Sequence, residues 1–120
     1  MYTKKFNYLD ISVVITKTSF FKVFIKIPKS YPIYNINMYA LDVPCHGGVT
    51  YYDKKKDSLI IGWDYGHIGD YIDFPDKMLY DRLFPNNKKY SLAEIVDDIK
   101  EILGYVEGLG TNENKQVTAV

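Results

Sequence analysis

A chain of 120 residues with 15 Lys plus Arg and 15 Asp plus Glu carries no net formal charge, which removes any global electrostatic argument for nucleic acid or a membrane surface as partner. The length suits one domain with a core that needs no disulfides or metals. The single cysteine excludes an intramolecular disulfide and fits a reducing compartment. Arg82 is the sole arginine, which weakens phosphate recognition by a bidentate clamp. Asn7, Asp10 and Ser12 interrupt the N-terminal stretch that holds Lys4 and Lys5, so no signal-peptide core is present. No apolar run has membrane-spanning length, and the expected location is the cytoplasm.

Residues 11–16 read as a strand, and residues 20–27 as a second. In the second, Phe21, Val23, Ile25 and Ile27 alternate with Lys22 and Lys26, the period of a half-buried strand. Lys17-Thr18-Ser19 suits a hairpin link, and Pro28 and Pro32 end the second strand. Residues 29–35 then form a loop, and the apolar stretch 36–43 reads as a strand or an irregular edge. Residues 48–53 and 58–64 form a second hairpin around the solvated turn Lys54-Lys55-Lys56-Asp57.

Residues 65–90 are rich in Gly, Asp, Tyr and Pro, and Met78, Leu79 and Leu83 allow one short helix. Ser91 and Glu94 have capping-box spacing. After them Leu92, Ile95, Val96, Ile99, Ile102, Leu103 and Val106 follow one helical face, and Gly108 is placed for a left-handed cap. The expected fold is α+β, a mainly antiparallel sheet packed against one C-terminal amphipathic helix. Residues 1–109 form a single domain and residues 110–120 a frayed tail.

The chemistry-bearing residues gather in two polar motifs flanking the second hairpin. These are Cys45-His46-Gly47-Gly48-Val49-Thr50-Tyr51-Tyr52 and Gly62-Trp63-Asp64-Tyr65-Gly66-His67-Ile68-Gly69-Asp70. Both histidines, the only cysteine and the only tryptophan lie there. Pairing of the two strands brings the motifs to one end of the sheet. Two readings of them stand side by side. In one, His46 and His67 hold turn geometry, and Gly47 and Gly48 supply positive φ at a strand entry. In the other, the glycines let backbone N–H groups approach a ligand, with His46, Gly47, Gly48, Thr50, Tyr51, Trp63, Asp64, His67, Gly69 and Asp70 as the binding residues. Trp63 and Tyr65 share a strand face with Leu59 and Ile61, so an aromatic of this group belongs in the core. The remaining aromatics suit stacking on a base or sugar, or a protein interface. His and Asp are also metal ligands, but His-Gly-Gly lacks the partner spacing of a zinc signature. No metal or cofactor is therefore assigned. Cys45 and His46 point oppositely on an extended chain, which disfavours a Cys–His nucleophile.

The run Ile27-Pro28-Lys29-Ser30-Tyr31-Pro32-Ile33-Tyr34, the block His46-Gly47-Gly48-Val49-Thr50-Tyr51 and the block Ile61 to Asp70 together resemble a small domain found in phages and prophages of low-GC Gram-positive bacteria. Its members read like VPKGHPLYG, HGGLTY and GFDCAHAGD and continue into a C-terminal helix. The resemblance spans roughly residues 22–106. Ser30 and Tyr31 stand where members have Gly and His, and Tyr65 where many have Cys, while His46, Asp64, His67 and Asp70 match.

That domain is one of unknown function, so the resemblance implies a phage context and no mechanism; a small phage protein without an enzyme signature is expected to be an accessory factor acting in the host-cell cytoplasm. The leading expectation is counter-defence by binding, either to a nucleotide immune signal or to a host defence protein such as a CRISPR effector. The balanced charge argues against DNA mimicry and direct nucleic-acid binding, and a homo-oligomer is compatible with it. One alternative is a small metal-dependent nucleotide or phosphoester hydrolase using His46, Asp64, His67 and Asp70. Another is a phage structural or assembly factor.

Overall fold

A computed structural model of the protein describes residues 2–37 and 43–109. The expectations for the middle of the apolar stretch 36–43 and for the tail 110–120 lie outside these residues. Five strands form one open antiparallel sheet in the order β1-β2-β3-β5-β4: β1 Tyr2–Tyr8, β2 Ile11–Lys17, β3 Phe21–Pro28, β4 Tyr51–Lys54 and β5 Ser58–Asp64. A 3-10 turn spans Pro32–Asn35, α1 spans Lys77–Leu83 and α2 spans Leu92–Leu109. The class is α+β, as the sequence patterning predicts.

Period-2 alternation decides the core. Ile11, Val13 and Ile15 of β2, Val23, Ile25 and Ile27 of β3, and Leu59, Ile61 and Trp63 of β5 point to one face and are buried. The i, i+3, i+4 stripe of α2 closes over that face with Ile95, Ile99, Ile102, Leu103 and Val106. On the opposite face Lys22, Lys26 and Tyr51 are exposed, and Val14 and Phe24 are half-buried. Gly62 lies between Phe24 and Tyr51 in the cross-strand register. A Cβ there would stand 2.8 Å from Phe24 Cδ1. The missing side chain thus lets the Phe24 and Tyr51 rings meet edge to face at 5.4 Å.

The start of α2 is the predicted capping box. Ser91 Oγ accepts from Glu94 N at 3.2 Å, and Ser91 N donates to Glu94 Oε1 at 3.1 Å. Lys88 adds an ion pair to the Glu94 carboxylate at 2.9 Å. Ser91→Ala is expected to cost about 1 kcal/mol, read as a lower urea midpoint with an unchanged slope.

Three features differ from the sequence reading. β1 has no predicted counterpart. Six of its seven residues are exposed, so pairing with β2 along its whole length stabilises it, not burial. Gly108 is not a left-handed cap, because α2 runs through it to Leu109 and its φ is not positive. A glycine on the exposed side of a last turn stays helical at a cost of about 1 kcal/mol. The short helix α1 does form, yet Met78, Leu79 and Leu83 are exposed and Tyr80 is its buried anchor.

Candidate functional site

Two loops meet beyond the C-terminal end of β5. In the second motif, Gly66 N donates to Asp64 Oδ1 at 3.0 Å, turning the chain as the strand ends. Asp70 N then donates to His67 O at 3.0 Å. Residues 69–71 are clamped to the chain before α2, where Lys88 N donates to Gly69 O and Tyr71 N to Lys88 O, both at 2.8 Å. Tyr80 Oη and Asn87 Nδ2 each donate to Asp70 O at 3.1 Å. In the first motif, Gly48 N donates to Cys45 O at 3.1 Å, and Thr50 N to Gly62 O at 2.9 Å, which docks this loop on β5.

The loops are joined by a partly buried hydrogen-bonded pair, His46 and Asp70. His46 Nε2 lies 2.9 and 2.8 Å from the two carboxylate oxygens of Asp70, a residue only 4% exposed. The same carboxylate accepts from His67 N at 3.0 Å. Because Nε2 faces a carboxylate, it carries the proton, and in the neutral ring Nδ1 is left as acceptor. Tyr90 Oη stands 3.3 Å from that Nδ1 and supplies the proton. Burial raises the Tyr90 pKa, which keeps its hydroxyl a donor. The His46 ring stacks on Tyr65 with centroids 4.8 Å apart and planes within 4°.

Tyr65 passes this order into the core. Its hydroxyl donates to Asp98 Oδ2 on α2 at 2.6 Å and accepts from Trp63 Nε1 at 3.1 Å. Burial first, and then the Asp98 hydrogen bond, raise its pKa, so the hydroxyl stays protonated. Trp63 is 1% exposed. Both aromatics of this strand face are therefore core, and the Trp63 ring supports the site instead of stacking on a ligand.

His67 packs differently. Its ring lies against Gly47, where a Cβ would stand 2.3 Å from Nε2. That nitrogen is buried and makes no hydrogen bond among the described residues. It sits 3.4 Å from Asp64 Oδ1, close enough for charge attraction on protonation but outside hydrogen-bond alignment. Thr50 Oγ1 donates to Asp64 Oδ2 at 3.3 Å. Gly47, Gly48 and Gly69 all have positive φ, as a turn reading of the motifs requires.

The structure thus brings His46, Gly47, Thr50, Asp64, His67 and Asp70 together. The His46 and His67 ring centroids are 5.7 Å apart. Tyr51 stands apart from the histidines, on the open face of the sheet. There a concavity of about 210 Å³ is walled by Lys22, Phe24, Thr50, Tyr51, Trp63 and Asp64. Sequence reading missed Tyr90 and Asp98, which come from distant segments. It also missed Lys22 and Phe24, whose place beside the motifs appears only once β3 pairs with β5. The four His and Asp side chains do not form a metal centre. Among the described residues no group of three or more His, Cys, Asp or Glu is arranged to hold an ion. Asp70 is turned inward onto His46, so its oxygens face a proton already in place.

Cys45 is half-buried, and burial pushes its thiol up to about 11. With so little thiolate at neutral pH, its alkylation by iodoacetamide at pH 7.5 is expected to be about a hundredfold slower than that of free cysteine. A rate near that of free cysteine would restore a nucleophile reading.

No helix among the described residues is long and apolar enough to cross a membrane. Comparison with protein-family models, with curated proteins and with solved structures finds no match to this chain.

Proposed function

We propose that the protein is a binding protein, with a nucleotide-like ligand held on the open face beside the His motifs. The observation that carries this reading is the concavity of about 210 Å³. A volume under the roughly 300 Å³ of drug-sized pockets suits one ring system with its substituents. The groups around it divide as a nucleotide would need. The exposed Tyr51 ring is a stacking surface. The Lys22 ammonium, which lies over the Phe20 ring and pairs with no carboxylate among the described residues, suits a phosphate. The Asp64 carboxylate and the Thr50 hydroxyl suit sugar hydroxyls or a base amino group.

The His46–Asp70 pair holds the loops behind this surface, in the role of scaffold. It supports binding over hydrolysis, because its polar atoms are already paired. The resemblance of the two motifs to a phage and prophage domain supports the biological end of the reading, an accessory protein that counters host immunity by sequestering a nucleotide signal.

A thermal-shift series tests this with nucleoside monophosphates, cyclic dinucleotides and ADP-ribose. At a hundred times Kd a true ligand adds about 2.7 kcal/mol of stability, a shift of several degrees. Lys22→Ala is expected to keep its melting temperature and lose the shift; Tyr51→Ala also gives up its edge contact with Phe24, so its loss of the shift is read against its own ligand-free melting temperature. No shift with any nucleotide at millimolar concentration would end the ligand reading and leave a host protein as partner.

A further inference from the structure

A second cavity lies away from the His motifs, between β1 and α2. It measures about 320 Å³ and is walled mainly by Phe6, Tyr8, Val96, Ile99 and Leu103. It exists because α2 closes over β2, β3 and β5 and leaves β1 half covered: Phe6 is half-buried, while Tyr2 and Tyr8 remain exposed. Gly104 deepens it, since open space stands where a Cβ would be. β1 is also the end of the sheet, with β2 on one side and, among the described residues, no strand on the other. Seven residues of regular strand therefore present an unpaired row of backbone donors and acceptors beside an apolar groove. Such an edge is a template for another strand.

Charge decides which strand. Lys4 lies on the groove side of β1, opposite Ile15. Glu107 lies at the other end, where its hydrogen bond to the Tyr8 hydroxyl raises that group's pKa. The groove is therefore basic at one end and acidic at the other. Antiparallel pairing of two β1 strands about a two-fold axis at Phe6 places Lys4 across from the partner's Tyr8 and Lys5 across from the partner's Asn7. The edge lysines, which an axis at Lys4 or Lys5 would set directly against each other, then avoid each other. Each Lys4 is brought toward the partner's Glu107, twice over by symmetry. The two Phe6 side chains meet on the groove face and join the two cavities into one apolar seam.

We propose that a second copy of this chain occupies the β1 edge and its groove, forming a two-fold dimer with a continuous ten-stranded sheet. The inference is independent of the ligand reading, since the site beside the His motifs lies at β3, β4 and β5.

Sedimentation equilibrium of the full chain tests it. The expected mass is twice the chain's 13.9 kDa at tens of micromolar. Lys4→Glu and Glu107→Lys each set like charges against each other at two places, and each is expected to weaken the dimer about tenfold or more. The double variant Lys4→Glu/Glu107→Lys restores the pairing and the dimer. All these positions are exposed, and melting at low concentration checks that each variant folds. A wild-type chain that stays monomeric at 100 μM would overturn the proposal and leave the edge to a strand of another protein. A dimer indifferent to both single charge reversals would overturn it as well.

Discussion

Asp70→Ala is expected to lower stability by about 2–5 kcal/mol, because it leaves two buried donors without an acceptor at roughly 1–3 kcal/mol each. The substitution strands His46 Nε2, which now has both carboxylate oxygens within 2.9 Å, and the His67 N–H at 3.0 Å. Neither donor gains water easily, because the Asp70 side chain it faces is only 5% exposed. Asp70→Asn keeps one acceptor oxygen and the shape, so its cost is expected to be smaller, about 1–2 kcal/mol. Urea unfolding measures both. For a domain of ordinary stability, about 5–15 kcal/mol, the alanine cost is a large fraction of the total. A loss below 1 kcal/mol for the alanine variant would show that the pair does not hold the loops together.

Gly47→Ala is expected to cost about 3 kcal/mol and Gly48→Ala about 1 kcal/mol. Both residues have left-handed backbone, φ +70° at Gly47 and +81° at Gly48, which an alanine adopts at roughly 1 kcal/mol or more. Only at Gly47 does the new Cβ collide, at 2.3 Å from His67 Nε2, while at Gly48 it meets open space. Relieving the clash means moving the His67 ring or the first loop, at a further cost of order 1–3 kcal/mol. Adjacent glycines with similar backbones thus separate strain from packing. Equal costs in the two variants would contradict the contact between the motifs.

The sheet and the main helix were legible because burial writes itself into periodicity. Val23, Ile25 and Ile27 alternate with lysines, and the stripe of α2 starts at a capping box whose hydrogen bonds form as predicted. β1 was illegible for the complementary reason: its order comes from pairing, and Tyr-Thr-Lys-Lys-Phe-Asn-Tyr buries almost nothing. Residues 65–90 were equally opaque, because side-chain and backbone hydrogen bonds hold them. The clamp of Asp70 by Lys88, Tyr80 and Asn87 has no sequence period. At the site, the clustering of both histidines with glycines and aspartates marked the two motifs as the place to look, but that the loops meet through His46 and Asp70 was not legible in the sequence. Tyr90, 44 residues from His46, and Asp98, 33 from Tyr65, left no local trace. The alternation that paired Trp63 with Tyr65 did show their shared face. It did not show that both would be enclosed, which follows from α2 reaching Tyr65 through Asp98.

The proposed nucleotide-like ligand lies on the open sheet face, with the His loops as scaffold behind it. Amide chemical-shift mapping of the ¹⁵N-labelled protein, titrated with the nucleotide that gives the largest thermal shift or with ADP-ribose if none does, tests this most directly. Saturable shifts are expected at Lys22, Phe24, Thr50, Tyr51, Gly62 and Asp64, with β1 and α2 unmoved. Shifts centred on Phe6, Tyr8 and Leu103, or none at millimolar nucleotide, would contradict it.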